Sequence, residues 1–175
     1  MKQKVLILGS TGMLGHQVTN YFLSIDKYVV FNASFKNKLN EDSIILDVLD
    51  DAALHNVIHK VKPDIIINCI GILIRRSSDI GNAIYINAYL PHRLKKIVEE
   101  TNCRIIHIST DCVFSGKSGN YIEESLRDGQ GVYAQTKILG EIIDDYNTTI
   151  RTSIIGPELK INGEGLFHWY ANQTK

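Results

Sequence analysis

Lys4-Val5-Leu6-Ile7-Leu8-Gly9-Ser10-Thr11-Gly12-Met13-Leu14-Gly15 decides the fold of this chain. Residues 4–8 form a short apolar run of strand type, and a helical pattern then continues through Ser24. A G-x-x-G-x-x-G turn set between a strand and a helix is the context in which backbone amides meet a diphosphate. Gly9 permits a tight exit from the strand, Gly12 lets the backbone approach the phosphates, and Gly15 lets the helix pack closely on the sheet. The ligand expected at this turn is a dinucleotide.

Outward from that unit, strands and helices alternate to the end of the chain. Strands are expected near 4–9, 27–33, 43–47, 64–70, 103–109 and 148–155, with helices near 13–24, 50–61, 79–100 and 131–146. Asp64-Ile65-Ile66-Ile67-Asn68 and Arg104-Ile105-Ile106-His107-Ile108 are almost continuously apolar, as central strands buried on both faces should be. Pro91 is expected to kink the third helix rather than end it. The pattern implies an α/β fold, a doubly wound parallel sheet with helices on both faces. In such a sheet the ligand lies beyond the carboxyl ends of the strands.

Val132-Tyr133-Ala134-Gln135-Thr136-Lys137 places a tyrosine and a lysine four apart, on one face of a helix. An ammonium beside a phenol stabilises the phenolate and makes tyrosine usable as an acid or base. The spacing alone fits a half-buried tyrosine beside a solvated lysine equally well. Its position downstream of Ile108-Ser109-Thr110-Asp111-Cys112-Val113-Phe114 gives it weight.

Together and in this order, these motifs resemble the extended short-chain dehydrogenase/reductase superfamily, and within it the dTDP-4-dehydrorhamnose reductases. The resemblance is carried by residues 9–16, 68–71, 86–88, 109–116, 133–137 and 151–153. It implies a Rossmann-type fold and NAD(P)H-dependent reduction of a 4-keto nucleotide sugar in polysaccharide precursor biosynthesis. Thr110 then orients the substrate carbonyl, Tyr133 protonates it, and Lys137 supports the phenolate. Cofactor contacts are implied for Gly9, Thr11, Gly12, Met13, Leu14, Gly15, Lys36, Asp47, Val48, Cys69, Ile70, Gly71, Asn87, Tyr133 and Lys137. Asp47 can equally cap the helix that follows. Asn87 and Arg151 are further candidates for steadying cofactor or substrate, and the basic pair Arg75-Arg76 can meet a diphosphate or lie exposed.

The end of the second strand should choose between cofactors, since an acid there binds the ribose of NAD and repels the extra phosphate of NADP. Phe31-Asn32-Ala33-Ser34-Phe35-Lys36-Asn37-Lys38 has no acid and two lysines, which points to NADPH and leaves NADH open. Related dehydratases carry Thr-Asp-Glu where this chain has Thr110-Asp111-Cys112, which favours a reductase. A nucleotide-sugar epimerase and a non-catalytic, dinucleotide-binding regulatory module are the alternatives.

Nineteen basic and nineteen acidic side chains balance to zero, so nothing points to a general nucleic-acid or membrane-surface binder. No apolar run approaches a membrane span, and the amino terminus lacks a signal pattern; the expectation is a cytoplasmic protein. Cys69, Cys103 and Cys112 are odd in number, widely spaced and expected to be free thiols. His55 and His59 share a helix face without an evident third ligand, so no metal is expected. Residues 1–157 read as the NAD(P)-binding domain and 158–175 as the start of a substrate-binding part that is cut short. A nucleotide-sugar substrate is the expected partner, with a homodimer open because Phe167 and Trp169 in a short tail can contact another chain.

Overall fold

The computed structural model describes residues 2–73, 79–99, 101–160, 162–163 and 165–173. Among them run six strands: β1 (Gln3–Leu8), β2 (Tyr28–Ser34), β3 (Ile44–Ile45), β4 (Ile65–Asn68), β5 (Arg104–Ser109) and β6 (Thr148–Arg151). The helices are α1 (Met13–Leu23), α2 (Asp51–Val61), α3 (Ile80–Ala83), α4 (Leu90–Val98), α5 (Gly131–Leu139) and α6 (Leu166–Asn172). The strand order is β3-β2-β1-β4-β5-β6, a Rossmann-type parallel sheet, as the alternation of elements implies. Among the described residues no helix is long and apolar enough to cross a membrane.

The chain divides into two compact units, one formed by residues up to Cys69 together with those from Ser153 onward, the other by Ile70–Thr152. In the first, β1 pairs in parallel with β2 on one side and β4 on the other, with Val5 opposite Val30 and Ile65. Being central and covered on both faces, Val5, Leu6, Ile7 and Leu8 are completely buried, which is why β1 reads as a continuous apolar run. Helix α2 adds Leu54, Ile58 and Val61, one stripe at helical spacing. Burial of each such side chain stabilises the fold by roughly 1.5–3 kcal/mol. Helix α1 buries Gly15, His16 and Thr19 instead, a small and polar face. Close approach of the backbone does there what bulk does on α2.

In the second unit β5 and β6 pair in parallel, with Ile106 opposite Thr148 and Ser109 opposite Arg151. Leu90, Leu94, Ile97 and Val98 of α4 form its buried stripe. The single helix expected over 79–100 is three pieces: α3, a π-helical segment Ile84–Tyr89, and α4. Pro91 explains the break, since it has no N–H to give the Asn87 carbonyl and its ring crowds that carbonyl. The wider turn absorbs the conflict, and the Leu90 amide reaches back five residues to the Tyr85 carbonyl. Helix α5 also stops earlier than the expected 146, at Leu139 before Gly140. A Cβ at Gly140 would lie 1.8 Å from the Asn87 carbonyl oxygen, so only glycine fits there. Strand β6 ends at Arg151, not at 155, and β3 is only two residues long.

Candidate functional site

The glycine turn is built as its spacing requires. Gly9 leaves β1 at φ +82°, a left-handed conformation that a side chain resists. The Gly9 and Ser10 amides both donate to the Ala33 carbonyl, at 2.9 and 3.0 Å, and the Gly12 amide donates to the Gly9 carbonyl at 2.9 Å. A Cβ at Gly15 would sit 2.0 Å from the Gly9 oxygen, backbone against backbone. Gly12 stands at the N-cap of α1, where no side chain caps the helix and no acid occupies its first turn. The positive end of the helix is therefore available to an anion at Met13 and Leu14. The Ser10 hydroxyl is buried with no hydrogen-bond partner, a second polar group at the same turn that suits a phosphate oxygen. These features fit a dinucleotide diphosphate.

At the end of β2, Lys36 and Lys38 differ. The Lys36 ammonium lies 5.0 Å over the Phe35 ring, whereas that of Lys38 donates to the Glu41 carbonyl at 2.9 Å. Asn32 is buried, donates to the Asn40 side chain at 3.2 Å, and leaves its own oxygen without a partner. Asp47 does not cap α2: its carboxylate accepts from the Leu49 amide at 2.9 Å, and Asp50 is the cap, bonded to the Ala53 amide at 2.9 Å. Val48 is buried beside it. The Cys69 amide extends the β1 ladder to the Leu8 carbonyl, and burial pushes its thiol up to about 12, so it remains protonated. None of Cys69, Cys103 and Cys112 is in a disulfide. His55 and His59 stack with ring centres 4.1 Å apart, and among the described residues no group of three side chains could hold a metal ion. Arg75 and Arg76 lie outside the described residues.

The second unit brings Gly71, Asn87, Thr110, Tyr133 and Lys137 together. Asn87 is fully buried and brackets Ile72, accepting from its amide at 2.9 Å and donating to its carbonyl at 3.2 Å. A Cβ at Gly71 would stand 3.6 Å from the Asn87 oxygen and 3.9 Å from the Lys137 nitrogen. Asn87 thus shapes the backbone at 70–72. Thr110 leaves β5 and caps the short 3-10 turn Asp111–Val113, its hydroxyl accepting from the Cys112 amide at 3.2 Å. The same hydroxyl donates to the Asp111 carboxylate at 3.2 Å, and it lies near enough to the Tyr133 phenol to pull that group's pKa down. The cap and the tyrosine contact coexist on one side chain.

Tyr133 is half-buried, and burial raises its pKa; the Thr110 hydroxyl pulls the other way, and Cys112 and Asp111 add to the rise. This reverses the expectation that a neighbouring ammonium lowers it. The reason is where Lys137 goes: its ammonium donates to the Ile108 carbonyl at 2.7 Å. Burial brings the Lys137 pKa down from 10.5 to about 8, against the opposing pull of Glu141. Between about pH 8 and 10.5 the unfolded chain therefore holds the extra proton, and stability rises with pH across that window and is lost as pH falls through about 8. Lys137→Met should flatten a rise of roughly 3 kcal/mol. Urea unfolding at both ends of the window measures it, and an equal rise in both proteins would contradict it.

Arg151, a candidate for steadying cofactor or substrate, is engaged by protein groups. Its guanidinium grips the buried Glu141 carboxylate at 2.8 and 2.9 Å, donates to the Glu123 carbonyl at 2.8 Å and lies 5.2 Å over the Phe114 ring. Sequence reasoning gave no role to Ser109, though it quoted the motif that contains it, and did not single out Glu141, four residues beyond Lys137.

Comparison with known proteins shows the family. The family described as the RmlD substrate binding domain matches residues 3–155. Methionine adenosyltransferase 2 subunit beta of Xenopus laevis is 30% identical over 144 residues, covering 79% of this chain and 42% of that protein. The dTDP-4-dehydrorhamnose reductase of Aggregatibacter actinomycetemcomitans is 28% identical over 141 residues, covering 79% and 45%. The crystal structure of a hypothetical dTDP-4-dehydrorhamnose reductase from Sulfolobus tokodaii superposes with a TM-score of 0.77 at 30% identity, covering 86% of this chain and 55% of that one. The chain spans about half the length of the proteins it matches. With a match running from β1 through β6, over a glycine turn and a Thr-Tyr-Lys cluster of this form, the chain belongs to the RmlD substrate binding domain family.

Proposed function

We propose that the chain is the dinucleotide-binding part of an enzyme that reduces a 4-keto nucleotide sugar of the dTDP-4-dehydrorhamnose type, with NADPH as reductant. The observation that carries this reading is Thr110, at the end of β5, beside the half-buried Tyr133 phenol, with Lys137 from the same helix as Tyr133 donating to the Ile108 carbonyl. The amides at the start of α1 and the Ser10 hydroxyl would hold the diphosphate, and the backbone at 70–72, braced by Asn87, the nicotinamide ribose. A bound nicotinamide supplies hydride. The chain's own groups handle the proton: Thr110 donates to the ketone oxygen and fixes its direction, and Tyr133 delivers its proton to that oxygen. A phenol whose pKa is raised is held in the form that an acid needs. A cytoplasmic location and a role in polysaccharide precursor synthesis accompany this reading. Residues 158–175 then begin the part that meets the sugar, and Phe167, Trp169 and Tyr170 of α6, all exposed, are apolar groups it offers.

The test is loss of NADPH absorbance with dTDP-4-dehydrorhamnose, in a chain extended to the length of the relatives. No turnover by an extended chain that binds NADPH would favour the second reading, a subunit that keeps the fold and serves another enzyme. That reading draws on the likeness to methionine adenosyltransferase 2 subunit beta.

NADPH should bind more tightly than NADH. Lys36 is held only by the adjacent ring and can turn to a 2′-phosphate, whereas Lys38 must first give up the Glu41 carbonyl. Lys36→Ala is therefore expected to narrow the preference more than Lys38→Ala. Dissociation constants for both cofactors decide this, and equal affinities in all three proteins would remove the loop from cofactor choice.

A further inference from the structure

Lys137 and Glu141, four residues apart, hold consecutive residues at the end of β5. The Lys137 ammonium takes the Ile108 carbonyl at 2.7 Å, and the Glu141 carboxylate accepts from the Ser109 hydroxyl at 2.9 Å. The next residue is Thr110. The Glu141 side chain has no exposed surface, yet each of its oxygens takes two donors. One accepts from Ser109 and the Arg151 Nε, the other from Arg127 at 3.0 Å and a second Arg151 nitrogen at 2.9 Å. Burial pushes the carboxyl up, but the bonds from Arg151, Ser109 and Arg127 outweigh it and the group stays ionised. A buried ion pair is weak evidence of stability, because apolar groups of the same volume often serve as well. A charge kept here at that cost calls for a use beyond packing.

We propose that Glu141 is a positioning residue for the reduction, fixing the Ser109–Thr110 end of β5 and keeping the Lys137 ammonium charged beneath the Tyr133 helix. The proposal rests on the reading that Thr110, Tyr133 and Lys137 carry the chemistry. Of the groups around Lys137, Glu141 is the one that opposes its loss of a proton. From β5 it is faced by His107, whose imidazole burial brings down to about 3, with Lys137 and His92 adding to the fall, so that side chain is neutral at working pH. Gly71 and Asn87 bring no charge. Arg127 and Arg151 pair with the carboxylate and temper its pull.

Nuclear magnetic resonance titration of lysine ε-methylenes, with Lys137 assigned by Lys137→Met, tests this without turnover. The wild-type midpoint is expected near 8. In Glu141→Gln, which keeps shape and loses charge, the midpoint should fall by about one pH unit or more, and Glu141→Asp should restore part of it. An unmoved midpoint in a folded Gln variant would overturn the proposal. Should that variant not fold, Arg127→Gln removes one of the cations that temper the carboxylate, and the midpoint should rise; no change there would overturn it as well. NADPH binding on the same samples separates the outcomes: a midpoint that moves in a protein with no affinity for NADPH defeats the reductase reading, not the charge coupling.

Discussion

Tyr133→Phe is expected to lower turnover by roughly two to four powers of ten in an extended, active chain, with NADPH affinity little changed. The substitution deletes one hydroxyl and keeps the half-buried ring, so the packing of α5 is preserved. What disappears is the hydroxyl beside Thr110, whose pKa burial raises. Neither neighbour can replace it. The Thr110 hydroxyl is a far weaker acid, and the Lys137 ammonium is engaged with the Ile108 carbonyl. Single-turnover measurements beside steady-state ones would show the loss in the chemical step. Near-normal turnover would dismiss Tyr133 as the proton donor.

Gly15→Ala should damage the protein more than Gly12→Ala, although both glycines belong to one motif. The added methyl at position 15 would lie 2.0 Å from the Gly9 oxygen, 2.8 Å from its carbonyl carbon and 3.2 Å from the Ser10 Cα, all backbone. Nothing there can rotate away, so α1 must lift from the sheet. Overpacking of this kind costs about 1–3 kcal/mol, and lifting the helix also moves the amides meant for the diphosphate. At position 12 the methyl meets only the Gly9 oxygen, at 3.2 Å, and a small shift accommodates it. Thermal unfolding and NADPH titration of both variants make the comparison. The reverse order of stability would mean that the turn is not packed as described.

How much of this was legible in the sequence follows from which forces are local. The strand, turn and helix at 3–23 were readable because conformation at Gly9 and close approach at Gly15 are demands that neighbouring residues make on glycine. The Tyr133-Lys137 spacing was readable for the same reason, being set by helical period. The direction of the Tyr133 shift was not, since it depends on the depth of the ring and on a carbonyl from β5 that draws Lys137 away. The early end of α5 turns on Gly140 meeting the Asn87 backbone, a contact across more than fifty residues of chain that no local pattern records. The engagement of Arg151 by Glu141 was not legible either, because Glu141 was not singled out. The i, i+4 relation between Lys137 and Glu141 was the signal available, and the downstream arginine was its complement.

Calorimetric titration of NADPH into the 175-residue chain, beside its Gly12→Val variant, tests the central claim most directly. A valine at the N-cap of α1 closes the approach to the amides of its first turn while leaving the sheet intact. Saturable binding by the parent chain and none by a folded Gly12→Val is the predicted result. No binding by the parent, or equal affinity in the two proteins, would contradict it.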